Sequence, residues 1–211
     1  MFVPILNREI HVYFPTCVMR RRLPDAETLN AALAAYCRTS RATAPGVQKS
    51  NHGGWQSEPT LFVDPDPAVA PLRDTVLRAL IDLSALVFGT PTQSIAIEDN
   101  LTAWININEA GDYNAHHVHL PATWSGVYYV EVGVPPADAR PNSGDLELFD
   151  PRGQGLDGTG ATFSHQSRIL VTPEPGLLVI FPGYLEHFVH PYAGTTPRIS
   201  IAFNARMRRK T

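Results

Sequence analysis

From Ser94 onward the sequence changes its period. Apolar and β-branched residues gather in short runs with a repeat of two, at Ser94–Ile97, Thr102–Ile107, Gly126–Val132, Arg168–Val171, Leu177–Phe181 and Arg198–Phe203. Such runs predict strands. Between them stand Gly, Pro, Asn and Asp clusters, among them Pro135-Pro136, Pro141-Asn142-Ser143-Gly144 and Asp157-Gly158-Thr159-Gly160. These residues favour the backbone angles of turns and end strands. Many short strands punctuated in this way predict a sandwich, a jelly roll or a barrel.

Helices are expected only ahead of this region. Asp25 after Pro24 is placed as an N-cap, and Leu29, Leu33 and Tyr36 then recur at helical spacing through an alanine-rich run. The second helix has the clearer pattern. Val69, Leu72, Val76, Leu80, Leu83 and Val87 follow steps of three and four, with Gly89 placed to end the helix and Pro91 to prevent its restart. Both helices need a partner surface. The stretch from Ser40 to Pro67, which holds Asn51-His52-Gly53-Gly54-Trp55, has little periodicity and is expected to be a loop that crosses the surface or covers a site. A chain of 211 residues with 44% hydrophobic residues can bury a proper core. The expectation is one domain over residues 1–211, with helical support mostly in 24–90 and a β core mostly in 93–206.

Charge narrows the partners. A formal charge of -3 with mixed signs offers no basic face for nucleic acid or anionic lipid, so a small molecule or a protein is the expected substrate. The basic end, Arg208, Arg209 and Lys210, reads as a solvated tail. There is no apolar stretch of the roughly 18 residues a membrane span needs, and Met1–Glu9 lacks the pattern of a signal peptide. Two cysteines, Cys17 and Cys37, make no disulfide framework. A cytoplasmic, reducing setting follows as the expectation, with oligomeric state left open between monomer and homodimer.

Five of the eight histidines fall where chemistry is expected: His116, His117 and His119 near one strand, and His187 and His190 after another. In extended chain, side chains alternate, so His117 and His119 point one way and His116 the other. Two neutral imidazoles on one face can hold a first-row divalent metal, and a third ligand from a neighbouring strand leaves positions open for substrate. His187 suits that place, because the run Leu177–Pro182 ends in a Pro-Gly turn that brings it back toward the pair. His190 is the weaker choice. His116, His165, His190, His11 and His52 read as surface or supporting residues. Farther on, Arg198 and Ser200 alternate onto one face of a run of apolar strand residues. A buried arginine is costly unless paired, and guanidinium with a neighbouring hydroxyl suits a bidentate carboxylate. A salt bridge to an internal acid such as Asp145 or Glu147 would satisfy it equally.

The order His117-x-His119, His187, Arg198-x-Ser200 resembles that of the Fe(II)/2-oxoglutarate-dependent oxygenases. Ser125-Gly126-Val127-Tyr128-Tyr129-Val130, the stretch Phe181-Pro182-Gly183-Tyr184-Leu185-Glu186-His187, Phe14-Pro15-Thr16, and Ser50-Asn51 with Gly53-Gly54-Trp55-Gln56-Ser57 look like the bacterial and phage-type members related to prolyl hydroxylases. The resemblance implies a mainly β (α+β) fold: a double-stranded β-helix, or cupin-like jelly roll, with N-terminal helices packed on one side. It implies Fe(II) held by His117, His119 and His187, and 2-oxoglutarate on that iron. Arg198 would bind the cosubstrate's distal carboxylate with Ser200 assisting. Tyr128 or Tyr129, of which alternation lets one face inward, would contact the cosubstrate. Trp104, Asn106 and Asn108 share one face and would either line the pocket or serve packing. The implied reaction couples oxidative decarboxylation of 2-oxoglutarate to hydroxylation of a C–H bond on a small-molecule or peptidyl substrate.

One position departs from the pattern. Most of the superfamily has Asp or Glu where this chain has His119. Three readings follow: a genuine three-His site, an acid supplied from elsewhere such as Asp145 or Glu147, or a fold that has lost turnover. Two other functions share the barrel. A cupin-type three-His dioxygenase or isomerase would use no 2-oxoglutarate, but Pro121–Trp124 stand where cupins commonly place a Glu, and Arg198 would have no role. A non-catalytic barrel with a closed metal site would need a fourth ligand such as His190 or Asp145.

Overall fold

The computed structural model describes residues 14–98, 101–134, 136–152 and 167–210. In chain order the elements begin with strand β1 (Met19–Arg22), helix α1 (Ala26–Thr43), and the two-residue strands β2 (Asn51–His52) and β3 (Trp55–Gln56). Helix α2 (Ala70–Phe88), β4 (Ile95–Ile97), β5 (Thr102–Asn108), β6 (Tyr113–His117) and β7 (Trp124–Glu131) follow. The chain continues through β8 (Leu146–Phe149), β9 (Arg168–Val171), β10 (Leu177–Pro182), β11 (His187–Val189), β12 (Arg198–Ala205) and β13 (Met207–Arg209).

The strands form a major sheet in the order β1-β10-β7-β12-β5-β3 and a minor sheet in the order β2-β6-β11-β8-β9, with β13-β4 as a separate pair. Every strand pair is antiparallel. From β6 to β12 the chain winds between the two sheets, with β8 and β9 paired side by side in the minor sheet, which is the winding of a double-stranded β-helix. The segment Asn51–Gln56 edges both sheets, because β2 pairs with β6 and β3 with β5. The expected loop there is thus partly a strap.

Register assigns the two faces of the major sheet. Ile201 lies opposite Ile105 on β5 and Tyr128 on β7, so these side chains share the outer face with Ile107, Val130, Leu178, Ile180, Ile199 and Phe203. That face packs on Leu33 and Cys37 of α1 and on Leu72, Val76 and Leu80 of α2, all buried. Each such side chain contributes about 1.5–3 kcal/mol by leaving water. The inner face, with Tyr129, Val179 and Phe181, meets Leu146, Leu148 and Val171 from the minor sheet. Burial on both faces explains why β10 reads as an unbroken apolar run in an antiparallel sheet. Gly126 makes one close approach possible, since a Cβ there would lie 2.4 Å from the Phe203 ring and 2.5 Å from the Val179 carbonyl.

The helix ends differ. Gly89 closes α2 in the left-handed conformation (φ 58°), with Thr90 N–H donating to the Ala85 carbonyl, as the Gly signal predicts. Asp25 stands at the N-cap of α1 but with φ 50° and no side-chain cap hydrogen bond, so its expected capping contact is not made. No described helix is long and apolar enough to cross a membrane. The expected turn Asp157–Gly160, Pro135, His11 and His165 fall outside the described residues.

Candidate metal centre

Strand pairing builds the centre. His187 opens β11 directly opposite His117 at the end of β6, and cross-strand partners point to the same face. The register shifts immediately afterwards, between His187 and Val189, a bulge that re-aims side chains. His119 lies two residues beyond the end of β6. Its backbone is held there by its N–H to the Gly183 carbonyl (2.8 Å) and by the Ala122 N–H to its own carbonyl (2.7 Å). Gly183 is needed for that turn, because a Cβ would lie 2.3 Å from the Ala122 carbonyl oxygen. Trp104 packs against the His119 ring with centroids 5.7 Å apart.

The three rings converge. One ligand nitrogen from each of His117, His119 and His187 lies within 4.8 Å of the other two, the single such group of His, Cys, Asp or Glu among the described residues. His117 Nδ1 sits 2.6 Å from the Ala115 carbonyl and His187 Nδ1 sits 2.9 Å from the Leu185 carbonyl. A carbonyl only accepts, so both Nδ1 atoms carry the proton and both Nε2 lone pairs are left for a metal. Burial holds all three imidazoles neutral. It pushes His187 down to about 3 and His119 to about 4, in each case with help from the neighbouring His117, and lowers His117 as well. Neutral imidazole is the ligand form, and three of them suit a first-row divalent ion.

The acids expected as substitutes lie elsewhere. Glu147 accepts from His190 Nε2 at 2.8 Å and from Arg168 at 3.3 Å, and Asp145 accepts from Thr172 Oγ1 at 3.4 Å. Both are buried, yet neither joins the ligand group. His116 faces away from the triad, as alternation requires, with Nδ1 3.3 Å from Glu186 and its ring stacked on Phe188. His52 stacks on Tyr113.

From the triad a cavity runs along the inner face of the major sheet, lined by Trp104, Asn106, Tyr129, Phe181, Arg198 and Ser200 among others. Arg198 is 3% exposed, and its Nη1 reaches Asn108 Oδ1 at 3.3 Å and Ser200 Oγ at 3.5 Å, both long and both neutral. Its Nε and the Tyr129 hydroxyl have no hydrogen-bond partner although both are buried. The guanidinium lies over the Tyr129 ring, 5.1 Å from its centroid. An unpartnered guanidinium N–H with an unpartnered hydroxyl beside it is the complement of a carboxylate with its lone pairs. The expectation for Tyr128 needs correction. It faces outward and donates its hydroxyl to Asn30 Oδ1 on α1 at 2.6 Å, because alternation along β7 gives the cavity to Tyr129.

One lining residue has no role in the sequence reading beyond a motif. Ser50 Oγ lies 3.4 Å from His117 Nε2 and accepts a hydrogen bond from Asn114 Nδ2 at 3.2 Å. Only the Ser50-Asn51 pair of the resemblance pointed there, because the adjoining strand, β2, is two residues long and has no readable period.

Residues 102–204 match the family described as "Putative 2OG-Fe(II) oxygenase". Comparison with curated proteins finds no match. Among solved structures, a prolyl-4-hydroxylase from Pseudomonas putida aligns over 90% of this chain and 92% of its own, at 22% identity and a TM-score of 0.60. A prolyl hydroxylase from Trichoplax adhaerens, bound to a peptide fragment of hypoxia inducible factor, aligns over 90% of this chain and 83% of its own, at 12% identity and a TM-score of 0.61. The epimerase SnoN, solved with Fe3+, alpha ketoglutarate and nogalamycin RO, aligns over 92% of this chain and 81% of its own, at 12% identity and a TM-score of 0.59. These likenesses show the fold, and the sequence match spans the strands that carry all three imidazoles and Arg198. Residues 102–204 are thus similar in sequence to that oxygenase family, and the chain shares its fold with solved 2-oxoglutarate-dependent enzymes.

Proposed function

We propose that the chain hydroxylates a C–H bond of a peptidyl or small-molecule substrate, with 2-oxoglutarate as cosubstrate and His117, His119 and His187 as the ligands of Fe(II). The observation that carries this reading is the pairing, in one cavity, of three converging neutral imidazoles with a buried Arg198 whose Nε lacks a partner. When bound, iron and 2-oxoglutarate together supply the oxidising chemistry, in which dioxygen is consumed, 2-oxoglutarate becomes succinate and carbon dioxide, and the substrate gains a hydroxyl.

The residues of the chain do the rest. Arg198 and Ser200 take the distal carboxylate of the cosubstrate, and Tyr129 and Asn106 contact it from the neighbouring strands. Leu146, Phe181 and Val189 line the same cavity and keep it poor in water, which strengthens a guanidinium–carboxylate pair. His119 also borders a second hollow lined by Val118, Leu120, Pro121 and Arg206, a place for part of a substrate beside the triad. Related folds act at both scales, since one structural neighbour holds a peptide and another a nogalamycin compound. One domain over the whole chain and a reducing, cytoplasmic setting belong to the same reading, and Cys17 and Cys37 are both free thiols.

Anaerobic titration of the Fe(II)-loaded protein with 2-oxoglutarate tests it. A weak visible charge-transfer band is expected, and His187→Ala should abolish it. Iron binding without the band would reject 2-oxoglutarate as cosubstrate and move a cupin-type dioxygenase ahead.

A further inference from the structure

We propose that Ser50 is the positioning residue for the ligand that occupies the open metal position beside His117: its hydroxyl, aimed by Asn114, donates a hydrogen bond to that ligand. The inference rests on the metal reading above but not on 2-oxoglutarate.

His117 Nδ1 holds its proton toward the Ala115 carbonyl, so Nε2 can only accept. Ser50 Oγ, 3.4 Å from Nε2, is therefore the donor in that contact. A metal on Nε2 would use the same lone pair, so the Ser50 O–H would keep its hydrogen and lose that acceptor. The hydroxyl itself is held in place. Asn114 Nδ2 still donates to Ser50 Oγ at 3.2 Å, and the Ala115 N–H still holds the Ser50 carbonyl at 2.9 Å. The hydroxyl hydrogen thus stays beside Nε2 in need of an acceptor, and a ligand bound next to Nε2 would be the one in reach.

The composition of the site makes this hydroxyl matter. A carboxylate ligand keeps a second oxygen with which to hold a neighbouring ligand, whereas an imidazole whose Nδ1 is tied to the backbone has nothing to offer. Of the other lining hydroxyls, Ser125 donates to Asn204 Oδ1 at 2.7 Å, Ser200 Oγ lies 3.5 Å from Arg198 Nη1, and Tyr129 stands beside the same guanidinium. The residue that leads into the strap therefore does more than join it to the chain, because its hydroxyl is set against His117 Nε2.

The test uses the full chain loaded with Co(II) and titrated with azide, a small hydrogen-bond acceptor, while the visible spectrum is followed. Ser50→Ala should weaken azide binding about fivefold, the value of one ordinary hydrogen bond. Ser50→Thr, which keeps the hydroxyl, should stay within about twofold of the parent. Asn114→Ala should fall between the two. Unchanged azide affinity in Ser50→Ala overturns the proposal. Equal weakening in the Ala and Thr variants also overturns it, since that marks a packing role, and so does a parent protein that binds cobalt without responding to azide. No 2-oxoglutarate is present, so a failure of the cosubstrate reading leaves this result intact, and an azide failure leaves the charge-transfer experiment intact.

Discussion

The two faces of the major sheet belong to the same strands and obey opposite rules. On β12, Ile199, Ile201 and Phe203 are wholly buried against the helices, while Arg198 and Ser200, between and beside them, are buried against the cavity. The outer face gains free energy from every apolar side chain removed from water. The inner face gives some of it back, because a guanidinium without a carboxylate partner and an unpartnered Tyr129 hydroxyl are costly to bury. The comparison separates what holds the barrel up from what waits for a ligand.

Substitutions on the two faces should therefore move different observables. The largest effect is expected on the outer face, where Phe203→Ala removes a fully buried ring that also covers Gly126. A loss of about 3–5 kcal/mol in unfolding free energy is expected from denaturant melts. Cosubstrate affinity of the fraction still folded should be unchanged, and a large affinity loss would mean that the faces are coupled. Arg198→Met should do the reverse. It removes a charge-assisted pair worth about 1.5–3 kcal/mol, so 2-oxoglutarate binding by calorimetry should weaken roughly 10- to 100-fold. The ligand-free protein should melt no earlier than the parent, because a buried unpaired charge has gone. Early melting would show that Arg198 supports the fold. The adjacent tyrosines give the smallest and sharpest contrast. Tyr128→Phe loses its bond to Asn30, about 1 kcal/mol of stability, with no change in cosubstrate binding. Tyr129→Phe should weaken that binding about threefold to tenfold and leave stability nearly unchanged, since its hydroxyl has no partner to lose. Swapped phenotypes would show that the register along β7 is misassigned.

Parts of this were legible without coordinates because they depend on local periodicity. The 3.6 repeat from Val69 to Val87 with Gly89 behind it marks α2, and long apolar runs mark β5, β7, β10 and β12. The strands that build the metal centre were not read as strands. β6, β8 and β11 are five, four and three residues long and carry Asn114, His116, Glu147 and His187. Too short and too polar to display a period, they are held by pairing with one another. The same lack of register left Tyr128 and Tyr129 undecided and let Asp145 and Glu147 stand as ligand candidates, whereas the structure ties Glu147 to His190 and Arg168.

By itself, then, the sequence determined the residue types of the site and their alternation: which imidazoles could share a face, and that Arg198 and Ser200 must. Only the tertiary structure decided which histidine lies opposite His117, which tyrosine looks inward, and that Ser50 reaches the ligand nitrogen. Alternation is a property of one strand, carried in the geometry of its own backbone. Register between strands, and the approach of a short strap to both sheets, are settled by burial and hydrogen bonding among residues far apart in the chain.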